Sequence, residues 1–393
     1  MGPVLITEVL ESHILGSPHK SQPILSPLLY IAGSYKRSTG HGKGYVEAGT
    51  ESIYMMKQNS STSRETPGET SEDLGHNPYV FIVGCSRSGT TLLQRLVDAH
   101  PVIAITSETN WVPRYFEMKT GLTSEGLVTP EMIPRLIEYR RFPSLGIDPG
   151  DLERLITPSG HVSYSSFVSG VFDLYRGTRG KRLAGGKGAA WVRHIPTLHV
   201  LWPEAKFAHL IRDGRDVCMS ILSWRKANWH RKVGRFTMWT EDPLSTTALW
   251  WEWNVRLGRE DGSSLEPGLY YEIRYESLVA HPADECAALC TFLGLPYDDE
   301  MLRFHEGRER TEPGLDAKSA WQPVTAGLRD WRSQMPAGDV ERFEAAVGDL
   351  LDELGYPRAV PRPSSEALKH ASRIRTSFVR DLRRQGKRIP EGW

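Results

Sequence analysis

The stretch from Pro78 to Ala99 constrains the fold more than any other. Tyr79 to Val83 is an apolar run of strand length, Gly84 to Gly89 is a small polar loop, and Thr90 to Ala99 has a helical pattern. A strand that feeds a helix through such a loop aims successive backbone N–H groups and the positive helix N-terminus at one point, an anion site. The spacing Gly84-x4-Gly89 is that of a Walker A loop, but Thr90 stands where its Lys would be. The cation lies inside the loop instead, at Arg87. The loop is a phosphate cradle without the mark of an ATPase.

From Pro78 onward strands alternate with helices, which predicts an α/β class: a P-loop-like three-layer fold with a central, mainly parallel sheet flanked by helices. Strands are expected at 102–106, 182–186, 205–212 and 269–275. Helices are expected at 130–140, 165–175, 195–201, 244–258, 282–293 and 338–354. Trp250, Trp251 and Trp253 in the 244–258 helix are packing residues, since adjacent positions cannot all share one face. Residues 1–76 are rich in Ser, Gly, Thr and Pro and read as a flexible, disordered extension. The domain proper spans 77–357. Residues 358–393 hold ten Arg or Lys against three Asp or Glu and read as a basic C-terminal tail, a solvated helix or arm.

The formal net charge is zero, so nothing marks a nucleic-acid binder. Four cysteines in 393 residues form neither a disulfide framework nor a zinc-ligand spacing, and no metal is expected. No apolar run reaches the roughly 18 residues of a membrane span, and the first residues lack a secretory pattern, so a cytoplasmic location is expected.

A second anion site follows from Ala205 to Ser220. A strand ends at Arg212, Asp213-Gly214 turns the chain into a helix, and Ser220 lies eight residues after Arg212. Both side chains can converge on one anion at the C-terminal end of a strand, where open α/β sheets bind ligands; the alternative is an Arg–Asp surface pair at a helix start. Glu108 stands just past another strand end, and Lys187 follows a third within Gly185-Gly186-Lys187-Gly188, a run that lets backbone approach a ligand.

Arg87-Ser88-Gly89-Thr90-Thr91 resembles the 5′-phosphosulfate loop of sulfotransferases that use 3′-phosphoadenosine 5′-phosphosulfate (PAPS). Ile211-Arg212-Asp213-Gly214-Arg215-Asp216-Val217 followed by Ser220 is similar to their 3′-phosphate motif. The resemblance is closest to tyrosylprotein and bacterial-type members with an Arg-Ser-Gly-Thr-Thr loop. It spans about residues 78–356 and includes Asp98-Ala99-His100-Pro101, Glu108-Thr109 and Val112-Pro113-Arg114.

It implies a PAPS-dependent sulfotransferase releasing 3′-phosphoadenosine 5′-phosphate (PAP), with Glu108 as general base and Arg87 and Lys187 also catalytic. It implies nucleotide binding by Arg87, Ser88, Gly89, Thr90, Thr91, Arg212, Ser220, Tyr275 and Lys318. Gln322 stands where the family has a Lys before Pro-Val, and Asn110 where the tyrosylprotein enzymes have an acid-reading Arg. The expected acceptor is a hydroxyl on a small molecule, glycan or lipid; a homodimer stays open.

Arg193-His194-Ile195-Pro196 echoes the motif of enzymes with a His base, so His194 is the alternative to Glu108. The rival functions are a P-loop kinase and a non-catalytic nucleotide-binding module. A kinase needs the Walker Lys that Thr90 replaces and a Mg²⁺-binding carboxylate at a strand end. Arg87, Glu108, Lys187 and Arg212 together argue against the inert module. The stretch 231–242 is read either as an acceptor-covering loop or as ordinary surface.

Overall fold

The computed structural model describes residues 79–156, 160–223, 233–306, 322–325, 327 and 329–393. The extension read over 1–76, Lys318 and the first two residues of the 231–242 loop lie outside them.

Among the described residues five short strands, β1 (Val80–Val83), β2 (Ile103–Thr106), β3 (Leu183–Lys187), β4 (Lys206–Ile211) and β5 (Tyr270–Arg274), form one sheet in the order β2-β3-β1-β4-β5. Every pairing is parallel, with Val80 opposite Gly185 on one side and Lys206 on the other. Parallel strands need crossovers and bury both faces. In β1 the two-residue period sends Val80 and Ile82 into one apolar cluster and Phe81 and Val83 into another. The first cluster includes Leu93 and Leu96 of α1 (Thr90–Ala99) and Leu289 of α10 (Pro282–Leu293). The second includes Phe167 and Phe172 of α5 (Tyr164–Gly177). This is the three-layer architecture expected.

A third cluster lies beneath the Arg212 motif. It joins Ile211 to α7 (Gly214–Leu222), α8 (Pro243–Ser263), α12 (Ala337–Glu353) and α13 (Ser365–Arg384). Trp250, Trp251 and Trp253 are all buried because α8 is enclosed by elements on several sides. Packing is their role, as expected.

The basic segment 358–393 departs from its expectation as a tail. Ala371, Ile374, Phe378 and Leu382 of α13 repeat at helical spacing and belong to this cluster. The Phe378 ring stacks on Phe236 at 3.9 Å, and the Thr237 N–H donates to Asp381 at 2.6 Å. Thus the described part of the 231–242 loop is fastened to α13. Lys369, Arg373, Arg380, Arg383 and Arg384 sit on the exposed face of this amphipathic helix, while Arg375 reaches the buried Glu252. Among the described residues no helix is long and apolar enough to cross a membrane.

Candidate active site

All five strands deliver their C-terminal ends to one edge of the sheet. The order reverses at β1, whose neighbours β3 and β4 are reached by separate crossovers, so the loop after β1 sits at the switch point. In that loop Arg87 has φ +77°, a left-handed conformation that costs a non-Gly residue about 1–2 kcal/mol. Such strain clusters at ligand sites, where it turns backbone N–H groups inward.

Gly89 has φ +99°, and a Cβ there would lie 2.5 Å from the ring of Tyr275. That ring stacks on the Arg212 guanidinium at 4.1 Å. Gly89 therefore lets the loop, the β5 end and the β4 end meet.

The two predicted anion sites are directly connected. Arg87 Nε donates to Ser220 Oγ at 3.0 Å. Arg212 pairs with Asp216 at 3.2 Å, and the other Asp216 oxygen accepts the Trp331 N–H at 3.0 Å. That bond brings the chain segment carrying Arg329 toward the site. Burial, reinforced by the like charges of Arg329 and Arg212 and opposed by Glu108, pulls the Arg87 guanidinium down to about 10. Arg329 is lowered by burial and by Arg212. Guanidiniums crowded in this way are relieved by an anion.

The buried Ser88 Oγ and Arg212 Nε have no partner among the described residues. An orphaned donor beside such a cluster is a fit for phosphate oxygens.

Lys187, only 1% exposed, is where the sites meet the chemistry. Its ammonium donates to Thr91 Oγ1 at 3.1 Å and to Glu108 Oε1 at 3.0 Å. The glycines around Lys187 serve a different end from the one expected. A Cβ at Gly186 or Gly188 would meet the Trp191 ring at 2.7 or 2.4 Å, and one at Gly185 would meet the Val80 carbonyl oxygen at 2.1 Å. The run makes room for core and sheet.

Sequence reasoning did not find Arg141, whose guanidinium lies 3.5 Å from Glu108 Oε2, nor Arg329. Neither falls in a motif; both arrive on irregular segments whose path no local pattern encodes. His194 is engaged elsewhere: Nδ1 lies 2.6 Å from Glu117 Oε1. His209 is a core residue as expected, with Nδ1 2.6 Å from the Tyr270 hydroxyl and burial pulling it down to about 4.

A profile of the sulfotransferase family matches residues 78–299, which carry both loops, Glu108 and Lys187. Protein-tyrosine sulfotransferase A of Caenorhabditis elegans is 27% identical over 322 residues, covering 80% of this chain and 76% of that protein. Protein-tyrosine sulfotransferase 1 of Danio rerio is 27% identical over 313 residues, covering 76% and 79%. A solved sulfotransferase domain from the curacin biosynthetic pathway, 19% identical, overlays on 80% of this chain and 99% of its own with a TM-score of 0.46. With the profile matched across more than half of its length, the chain belongs to the PAPS-dependent sulfotransferase family and is a transferase that uses PAPS as sulfuryl donor.

Proposed function

We propose that this sulfotransferase modifies a phenolic hydroxyl, with a tyrosine side chain as acceptor, by in-line displacement with Glu108 as general base. The observation that carries the mechanism is the placement of Lys187 between Thr91 and Glu108. One cation there touches both the loop that would hold the phosphosulfate and the carboxylate that would take the acceptor proton.

Transfer spreads negative charge over the equatorial sulfuryl oxygens, and donors already in place stabilise it without reorganisation. Arg87, Lys187, the Thr90 and Thr91 hydroxyls and the loop N–H groups are those donors. Arg212 and Ser220 hold the 3′-phosphate, with Ser88 and Tyr275 completing the nucleotide site. Arg87, bonded to Ser220, links the two ends of the nucleotide.

The tyrosine acceptor is supported by the relatives, which are named as protein-tyrosine sulfotransferases. Asn110 donates to Glu108 Oε2 at 3.4 Å and brings no positive charge to that position. Acidic flanks around the tyrosine should therefore matter little. The test incubates the protein with PAPS and two tyrosine peptides, one with neutral and one with acidic flanks, and looks for the mass gain of one SO3. No gain on either peptide, with gain on a sugar or aliphatic alcohol, would reject the phenolic acceptor.

Arg212→Ala should weaken PAP binding by about 1.5–3 kcal/mol through lost charge-assisted hydrogen bonds. Calorimetry checks this, and an unchanged Kd removes Arg212 from the nucleotide site. Turnover should also persist in EDTA, because guanidinium and ammonium groups supply the positive charge. Loss in EDTA restored by Mg²⁺ would favour phosphoryl chemistry instead.

A further inference from the structure

Glu108 is gripped from two directions. Lys187, at the end of β3, holds Oε1 at 3.0 Å. The opposite grip comes from the segment between α3 (Met132–Ile137) and the 3-10 turn Phe142–Leu145. Arg141 lies 3.5 Å from Oε2, the Tyr139 hydroxyl donates to the Glu108 carbonyl oxygen at 3.0 Å, and the Ser107 and Ser144 hydroxyls are 3.2 Å apart. Phe142 and Leu145 pin this segment into the core at 4% and 2% exposure. Three contacts from one anchored stretch thus fix the backbone and the carboxylate of Glu108.

The two grips differ in what they can do. Lys187 also touches Thr91, so negative charge arriving at the anion loop competes for its ammonium. If Lys187 turns to that charge, Oε1 loses its ion pair. Arg141 holds the other oxygen, from a segment that Phe142 and Leu145 anchor in the core.

We propose that Arg141 is a positioning residue that keeps Glu108 ionised and aimed once Lys187 has turned to the sulfuryl oxygens. This rests on the reading of Glu108 as the base. It gives the site a division of labour: the mobile-ended Lys serves the donor, and the forked, anchored Arg serves the base.

The test compares parent, Arg141→Gln, Arg141→Lys and Glu108→Gln, using PAPS, a neutral-flanked tyrosine peptide and PAP calorimetry. Arg141→Gln should lower kcat about 10–100-fold, the scale of a roughly 1 Å misplacement. Its Kd for PAP should stay within about twofold, since the nucleotide groups are untouched. Its acid limb should move to higher pH, because a neutral amide no longer favours the carboxylate. Arg141→Lys should return that limb toward the parent's position.

Three results would overturn the inference. If Glu108→Gln is inactive while Arg141→Gln keeps the parent's kcat and pH profile, the positioning role alone fails. If Arg141→Gln raises KM with kcat and profile intact, Arg141 binds acceptor instead. If Glu108→Gln turns over like the parent, the base assignment itself falls.

Discussion

Glu108→Gln lowers turnover by about 10²–10⁴-fold, the usual worth of a general base, while the Kd for PAP barely moves. The amide keeps the size of the carboxylate and can still accept from Lys187, so the substitution removes basicity and leaves shape. Acidic phenols are expected to suffer least, because their proton needs less help to leave. His194→Gln should leave turnover near that of the parent, since His194 is occupied by Glu117 at 2.6 Å. Single-turnover rates with saturating PAPS measure the pair. A near-normal Glu108→Gln beside an inactive but folded His194→Gln would transfer the role to His194.

Glu344→Ala should be the most damaging substitution for stability outside the apolar core. Arg215, wholly buried, donates to Glu344 at 2.6 Å and to Asp213 at 2.7 Å, and lies over the Trp331 ring at 3.6 Å. Glu344 also accepts the N–H groups of Ala359 and Val360 at 3.0 and 2.7 Å. Removing the carboxylate takes one of two counter-ions from a buried guanidinium, which keeps Asp213 and the Pro357 carbonyl, and orphans two backbone donors, at a cost of about 2–4 kcal/mol. The exposed Glu300–Arg303 pair is the control, where Glu300→Ala should cost no more than about 1 kcal/mol. Urea denaturation read by tryptophan fluorescence compares the two. Equal midpoints would show that the buried network adds nothing.

What the sequence disclosed was what local pattern encodes. β1, its loop and α1 are contiguous, so the cradle could be read from about twenty residues. The strand ends at Glu108, Lys187 and Arg212 were legible because short apolar runs stop there. That Lys187 reaches Glu108 follows from the pairing of β2 with β3, which no motif spells out. Arg141 and Arg329 were invisible because irregular segments carry them to the site. Net charge over 358–393 reads as a tail because it averages away the Ala371, Ile374, Phe378 and Leu382 stripe.

That stripe bears on where the protein can be cut. The family profile ends at residue 299, yet Ile211, α7 and α8 share their apolar cluster with Phe343, Ile374 and Phe378. Trp393 closes on Phe378 at 5.9 Å. Residues beyond 299 therefore supply the floor on which the Arg212 motif rests, and a fragment trimmed to the recognisable region would expose that floor to water. Expression boundaries, fusion partners and libraries of surface variants should all spare the apolar side of that helix, together with His370 and Arg375, which pair with the buried Asp242 and Glu252.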